Sequence, residues 1–182
     1  MSPPPIIQTQ RLRLRFLTLD DALVVQQLAG VREIAHTTLS LDSPLTLEQA
    51  SAWIAKRMDS SAAGTSVACG VILKTTGQFI GAAGLSSIDK EHGSAEMGFW
   101  VGKDWWGQGH ATEAARAVLR HGFEELKLNR IYAHHMTKNP ASGRVLEKIG
   151  MQREGCLRQM IRKWGALEDV VLCAILRQDW AG

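Results

Sequence analysis

A glycine-rich segment at residues 102–113, GKDWWGQGHATE, separates an alternating apolar run from a long helical pattern. Gly107, Gly109 and Ala111 occupy every second position, so no bulky side chain keeps a ligand away from the backbone. The N–H groups at the start of the following helix can then point at an anion, and a pyrophosphate is the natural ligand. The segment therefore predicts a strand, an anion-binding loop and a helix, in that order.

Two common nucleotide-binding loops fit this segment poorly. A triphosphatase P-loop needs Lys and then Ser or Thr after its second glycine, and this chain has Gln108 and Gly109 there. A dinucleotide-binding fingerprint starts well at Gly107 and Gly109, but Thr112 stands where a third small residue lets the helix close on the strand. The first motif is excluded and the second is weak.

Three segments resemble one known family. Residues 106–111 resemble the Q/R-x-x-G-x-G/A loop with which the GNAT superfamily of N-acetyltransferases holds the pyrophosphate of acetyl-CoA, with Trp106 at the Gln/Arg position. Residues 139–151, NPASGRVLEKIGM, are similar to the N-x-x-S/A…E-K-x-G-F/M segment of the helix that flanks the thioester. Residues 11–16, RLRLRF, followed by two aspartates, are similar to the opening of the RimJ/RimL-like branch, the ribosomal-protein N-terminal acetyltransferases.

The resemblance implies acetyl-CoA as cosubstrate, with its pantetheine lying between a fourth and a fifth strand that splay apart. The N–H of Val101 is then expected to bind pantetheine. Phe99 is expected to lie near the acetyl carbonyl, where a backbone N–H can stabilise the developing oxyanion. The expected cofactor-binding residues are Phe99, Val101, Trp106, Gly107, Gly109, His110, Ala111, Thr112, Asn139 and Ser142.

Two side chains are candidates for the proton transfers. Glu96 is the candidate base that deprotonates the amine, directly or through a water molecule. Strand alternation places Glu96 on the face opposite Phe99, which counts against direct reach unless a bulge or twist re-aims it. In many relatives a Tyr protonates the leaving thiolate. Because Leu146 stands at that position, Ser142 is the candidate donor, with a hydrogen bond to the local backbone as its alternative role.

Composition argues against several other classes of protein. A net charge of +3 with interspersed signs does not give the basic face of a nucleic-acid-binding protein. No signal-peptide core and no run near the ~20 apolar residues of a membrane span occur, so we expect a cytoplasmic protein without a membrane role. The cysteines are expected to be core residues in a reducing compartment rather than acyl carriers. No metal is expected, because His134 and His135 alternate on a strand and His110 has no partner.

The hydrophobic patterns predict one domain, residues 1–182, of the α/β class, with helices flanking a mixed sheet. Strand patterns cover residues 11–16, 67–73, 79–85, 94–101, 130–136, 152–162 and 169–176. Together with the resemblance they imply the GNAT fold, a mostly antiparallel sheet of about seven strands flanked by about four helices. Residues 1–10 are expected to be a flexible lead, and the last strands to form a homodimer.

The expected function is transfer of acetyl from acetyl-CoA to a primary amine, by direct attack in a ternary complex. A protein N-terminal α-amine is the first expectation for the acceptor. A small amine, an amino acid or an antibiotic is the alternative acceptor, since a fold does not determine a substrate. A non-catalytic acyl-CoA-binding sensor is the alternative from a different class.

Overall fold

The described part of the chain, residues 7–38 and 40–182 of a computed structural model, forms an eight-stranded sheet. The strands are β1 Ile7–Gln8, β2 Leu12–Phe16, β3 Val67–Leu73, β4 Phe79–Asp89, β5 Ser94–Val101, β6 Arg130–Met136, β7 Gln152–Lys163 and β8 Ala166–Leu176. They lie in the order β1-β2-β3-β4-β5-β6-β8-β7. β5 and β6 are parallel, and the other neighbouring pairs are antiparallel.

Helices cover both faces of this sheet: α1 Ala22–Ala29, α2 Arg32–Ala35, α3 Leu47–Ala62, α4 His110–Glu124 and α5 Pro140–Lys148. On one face, Val25 of α1 and Ile54 of α3 share a core with Trp100 of β5. On the other face, Phe123 of α4 and residues of α5 share a core with Met97 of β5. Because side chains alternate along a strand, β5 contributes to both cores. None of these helices combines the length and apolar character needed to cross a membrane.

The predicted fold class is confirmed, and the element count differs slightly. The structure adds β1 and α2 to the predicted elements. α2 has only 4 residues, too few for a helical period to show in the sequence. β1 falls inside the predicted flexible lead, and residues 1–6 of that lead lie outside the described residues. A capping box starts α3, with Thr46 Oγ1 accepting from the Gln49 N–H at 3.1 Å and Gln49 Oε1 accepting from the Thr46 N–H at 2.8 Å.

β5 and β6 separate partway along their length. Their pairing runs from Ser94 opposite Arg130 to Met97 opposite Ala133 and then ends. Beyond this point β5 remains paired with β4 as far as Val101, while β6 remains paired with β8. The sheet is therefore forked after Met97, as the resemblance implies for the fourth and fifth long strands.

β7 is the outer strand at one edge of the sheet, and its residues are mostly exposed. Cys69 and Cys173 are buried as expected, whereas Cys156 is exposed. The expectation of a core residue is wrong for Cys156 because it lies on this edge strand, where an apolar side chain has no second layer to pack against. The homodimer expected through the last strands stays a prediction.

Candidate active site

A cavity of about 1070 Å³ occupies the fork between β5 and β6. Its walls come from both faces of the sheet: Arg57 of α3 lines one side, and the anion-binding loop with α5 lines the other. This volume lies just above the usual range of about 300–1,000 Å³ for cofactor and small-molecule sites. Every residue predicted for the site lines this cavity, namely Glu96, Phe99, Val101, Trp106, Gly107, Gly109, His110, Ala111, Thr112, Asn139 and Ser142.

The loop before α4 has the backbone geometry of an anion cradle. Gly107 and Gly109 have φ of 74° and 80°, in the left-handed region that favours glycine. Gly109 is the N-cap of α4, and no side chain caps the helix there. Because the first N–H groups of a helix have no intrahelical acceptor, those of the first turn of α4 remain available to an anion. The loop therefore fits the pyrophosphate that the sequence predicts for it.

Trp106 does not supply the polar side-chain contact that Gln or Arg supplies at its position in the motif. Its indole Nε1 donates to the Val101 carbonyl at 2.7 Å, and this bond ties the loop to the end of β5. Trp105 packs against the core beside Gly102, where an added Cβ would lie 2.9 Å from the Trp105 ring. Both tryptophans therefore hold the loop on the sheet.

Arg11, the residue before β2, places a positive charge beside the loop. Its Nε donates to Glu113 Oε2 at 2.6 Å, and its Nη1 donates to the Gln108 carbonyl at 2.9 Å. Its Nη2 lies 3.4 Å from the position of a Cβ on Gly109. Burial and the nearby Arg11 cation lower the pKa of His110, the first residue of α4. The guanidinium thus adjoins the cradle although Arg11 is far from it in sequence.

The backbone of β5 directs donors into the fork. The Gly102 N–H donates to the Ile80 carbonyl of β4 at 2.8 Å. In an antiparallel pair the N–H groups alternate between the two edges of a strand. The N–H groups of Val101 and Phe99 consequently point away from β4, into the gap that β6 has left. These are the two groups that the resemblance assigns to pantetheine and the acetyl carbonyl.

Glu96 and His134 form a hydrogen-bonded pair, the Glu96–His134 pair, where the strands separate. His134 Nδ1 lies 2.8 Å from Glu96 Oε1. Tyr132, in register with Glu96, packs edge-on against His134 with ring centroids 5.6 Å apart. Glu96 and Phe99 are on opposite faces of β5, as predicted, but beyond Met97 the sheet is open and both line one cavity. The opposite-face position therefore does not exclude Glu96 from the reaction site.

The start of α5 presents a polar end to the same cavity. Asn139 is its N-cap, and its Oδ1 accepts from the Ser142 N–H at 3.1 Å. The Ser142 side chain is half-buried, and its hydroxyl makes no hydrogen bond to another described residue. Leu146 is fully buried in the core below α5. The hydroxyl of Ser142 is therefore free for a ligand, and Leu146 packs as an ordinary core residue.

His36 and His135 also line the cavity, and Trp164 packs against His36. His135 points to the α5 side, and its Nδ1 lies 2.9 Å from the Met136 carbonyl. In residues 7–38 and 40–182 no group of three His, Cys, Asp or Glu side chains is placed to hold a metal ion. The Trp164 ring lies against His36 with ring centroids 5.3 Å apart and the ring planes tilted by 33°, and His36 lines the cavity.

Three side-chain contacts of the site were not predicted from the sequence. His134 is the partner of Glu96, Arg11 adjoins the loop, and Arg57 lines the wall formed by α3. The alternation of residues 11–16 correctly places Arg11 on a polar face, but no local signal shows that this face meets the loop. The contact between Glu96 and His134 depends on the register of β5 and β6, which lie on either side of a whole helix in the sequence.

Comparisons with known proteins agree with this geometry. The family model of the acetyltransferase (GNAT) domain matches residues 11–152. The uncharacterized N-acetyltransferase p20 of Bacillus licheniformis is 36% identical over 177 residues, 97% of this chain and 98% of that protein. The [ribosomal protein uS5]-alanine N-acetyltransferase of Escherichia coli is 30% identical over 104 residues, 57% of this chain and 54% of that protein. The crystal structure of a GNAT-family acetyltransferase from Bacillus anthracis has a TM-score of 0.84 and 29% identity, covering 96% of this chain and 99% of that one. The chain therefore belongs to the GNAT family of acetyl-CoA-dependent acetyltransferases, with ribosomal-protein N-acetyltransferases among its relatives.

Proposed function

We propose that this protein transfers acetyl from acetyl-CoA to a primary amine by direct attack of the amine on the thioester. The proposal is carried by one observation: the forked sheet joins, in one cavity, an anion cradle on one face and the Glu96–His134 pair on the other. A cofactor and an acceptor entering from opposite faces would meet at the fork. Because the thioester is already activated, positioning the two reactants supplies much of the rate.

On the cofactor side, backbone groups do most of the binding. The loop around Gly107 and Gly109, with the N-terminus of α4, holds the pyrophosphate, and the Val101 N–H binds pantetheine. Arg11 adds the positive charge that Trp106 lacks. The Phe99 N–H donates to the thioester oxygen as negative charge develops on it.

On the acceptor side, the Glu96–His134 pair acts as one base. The ionised carboxylate accepts the Nδ1 hydrogen of His134, which leaves the Nε2 lone pair free to take a proton from the ammonium, directly or through a water molecule. The neutral amine nitrogen then forms a bond to the carbonyl carbon, the carbon–sulfur bond breaks, and the electron pair leaves on sulfur. Ser142 donates a hydrogen bond to this thiolate, and the proton that the acylated nitrogen loses on becoming the amide passes to the sulfur, directly or through a water molecule, which gives the thiol of CoA.

An N-terminal α-amine of a protein is the acceptor that the relatives support, because one of them is named for acetylating ribosomal protein uS5. Action in the cytoplasm is part of the same proposal. The three cysteines have no part in it: Cys156 lies on the outer strand, and burial raises the pKa of Cys69 to about 12 and that of Cys173 above its usual value.

A free-thiol assay with acetyl-CoA tests this function. Candidate acceptors are N-terminal peptides, polyamines, amino acids and aminoglycosides, with calorimetric binding of CoA measured in parallel. Thiol release that depends on one class of amine is the expected result, and it names the acceptor. CoA binding without release to any of them would support a sensor instead. The absence of both would contradict the assignment of the loop.

A further inference from the structure

Arg57 places a positive charge in the wall of the cavity on the side of α3. Its guanidinium lies 3.6 Å from the centroid of the Trp53 ring. Nη1 donates to the Trp53 carbonyl at 3.2 Å, and Nη2 donates to Ser40 Oγ at 3.3 Å. The ion pairs found among residues 7–38 and 40–182 do not include Arg57. This half-buried cation therefore has no carboxylate partner in the described chain.

A half-buried cation without a counter-charge is costly to maintain. Burial lowers the pKa of Arg57 to about 10, so the side chain is still charged at neutral pH. The two hydrogen bonds use one N–H on each terminal nitrogen, and a guanidinium has further donors in the same plane. Stacking on Trp53 covers one face of the guanidinium. The edge that carries the remaining N–H donors stays open and can bind a planar anion.

Beyond the two acceptors that Arg57 already uses, its surroundings offer hydrogen-bond donors. Ser40 Oγ accepts from both Trp53 Nε1 and Arg57 Nη2, each at 3.3 Å, and its own hydroxyl hydrogen has no acceptor among the described residues, so it can donate to a ligand. The indole N–H of Trp100, in the same wall, has no acceptor among the described residues. By contrast, the cation of Lys138 is already paired with Glu168 at 2.5 Å. Among the described residues of this wall, Arg57 is thus the cation that lacks a carboxylate partner.

We propose that Arg57, together with the hydroxyl of Ser40, binds a carboxylate on the acceptor molecule, so that the substrates are amines that also carry a carboxylate. This inference rests on the proposed acetyl transfer. The Glu96–His134 pair receives the amine at the fork, and Arg57 receives the anionic group on the α3 wall. Both a free amino acid and a peptide with an acidic residue near its N-terminus have this chemistry.

The test compares acceptors that differ in a single carboxylate, using thiol release by the full-length protein. One pair is alanine and alaninamide, and the other is the peptide amides Ala-Asp-Ala-Ala and Ala-Asn-Ala-Ala. A larger difference in kcat/KM between alanine and alaninamide would identify the carboxylate as that of a free amino acid. A larger difference between the two peptides would identify it as an acidic side chain. The variants are R57Q, which removes the charge, R57K, which keeps the charge without the planar fork, and R32Q as a matched control. Arg32 also lies over a tryptophan ring, 5.4 Å from the centroid of Trp164, but does not line the cavity.

The wild-type protein is expected to favour the carboxylate member of at least one pair. R57Q should lower kcat/KM for that member about 10- to 100-fold, mainly by raising KM, and leave the neutral member nearly unchanged. R57K should lose less than R57Q, and R32Q should behave as the wild type. The proposal would be overturned if R57Q lost kcat/KM equally for both members of a pair, or lost none. A wild-type preference for the neutral members would overturn it as well.

Calorimetric binding of the same acceptors to the CoA-bound protein separates this proposal from the proposed function. If the wild-type protein and R57Q turn over the carboxylate-bearing acceptors at the same rate, acetyl transfer is supported and the carboxylate site is contradicted. Binding that depends on Arg57 and on the carboxylate, without any turnover, supports the site and contradicts acetyl transfer. Neither binding nor turnover of any carboxylate-bearing acceptor overturns the site.

Discussion

The two sides of the cavity are built from different parts of the polypeptide. The cofactor side consists mainly of backbone: the left-handed glycines at 107 and 109, the open N-terminus of α4 and the N–H groups of Phe99 and Val101. The acceptor side consists of side chains, with Glu96 and His134 at the fork and Arg57 on the wall. Backbone donors recognise a group that every acetyl-CoA carries, whereas side chains can be exchanged to suit one acceptor.

This difference implies that binding of the cofactor and processing of the acceptor can be impaired separately. Substitutions on the cofactor side should weaken acetyl-CoA binding whatever amine is offered. Substitutions on the acceptor side should leave acetyl-CoA affinity unchanged and alter rate or amine preference. The following variants test that separation, in order of decreasing effect.

The largest effect is expected at the Glu96–His134 pair. Replacing either residue by Gln should lower kcat about 10²- to 10⁴-fold, the usual range for a general base. Because the two act as one unit, the double variant should be hardly slower than the worse single variant. H135Q is the control, since His135 is adjacent in sequence but faces α5. Additive losses, or a full rate in E96Q at every pH, would show that the pair is not the base.

A large effect on cofactor binding is expected for G109V. The residue has φ of 80°, and a β-branched side chain there is both strained and in the path of a phosphate approaching the backbone. Acetyl-CoA affinity should fall about 100-fold by calorimetry. G77V is the matched control, because Gly77 has φ of 73° in the β3–β4 turn and no atom lies within 4 Å of its added Cβ. Equal CoA affinity in the two variants would contradict the cradle.

The cofactor side, which consists mainly of backbone, could be predicted from the sequence because its sequence signals are local. Successive residues of β5 and of the loop carry the alternation and the glycine spacing, and the predicted bounds of β5 match the structure. The capping box of α3 is similarly contained in four residues. A pattern of this kind needs no knowledge of how distant elements pack.

The acceptor side, which consists of side chains, could not be predicted as fully, because it depends on strand register and on packing. Glu96 meets His134 only because β5 and β6 pair in a register that places Tyr132 opposite Glu96. Arg57 reaches the cavity because α3 packs on the sheet face that contains Trp100. Helical spacing places Arg57 four residues after Trp53, but spacing does not show which face of the helix meets a cavity.

A moderate effect, confined to the phosphates, is expected for R11Q. Arg11 is partly exposed and shares its charge with Glu113, so its loss should weaken acetyl-CoA binding about tenfold at low salt and less at high salt. Acetyl-pantetheine lacks the pyrophosphate and should bind R11Q and the wild type alike. Equal weakening for both ligands would mean that Arg11 acts only by holding β2 against the loop.

The smallest effect is expected for S142A. The N-cap bond of Asn139 uses the Ser142 N–H and not its hydroxyl, so alanine leaves the start of α5 intact. A single neutral hydrogen bond to the departing sulfur predicts a loss of about two- to tenfold in kcat, with acetyl-CoA affinity unchanged. Because an unperturbed thiol has a pKa of about 8.5, the thiolate can also leave unaided and take its proton from water. The loss should therefore shrink for acyl donors whose thiols are more acidic than CoA. A loss that is the same for every leaving thiol would assign Ser142 to positioning the cofactor, alongside the backbone groups, and would leave the Glu96–His134 pair as the only proton-transfer group that these tests support.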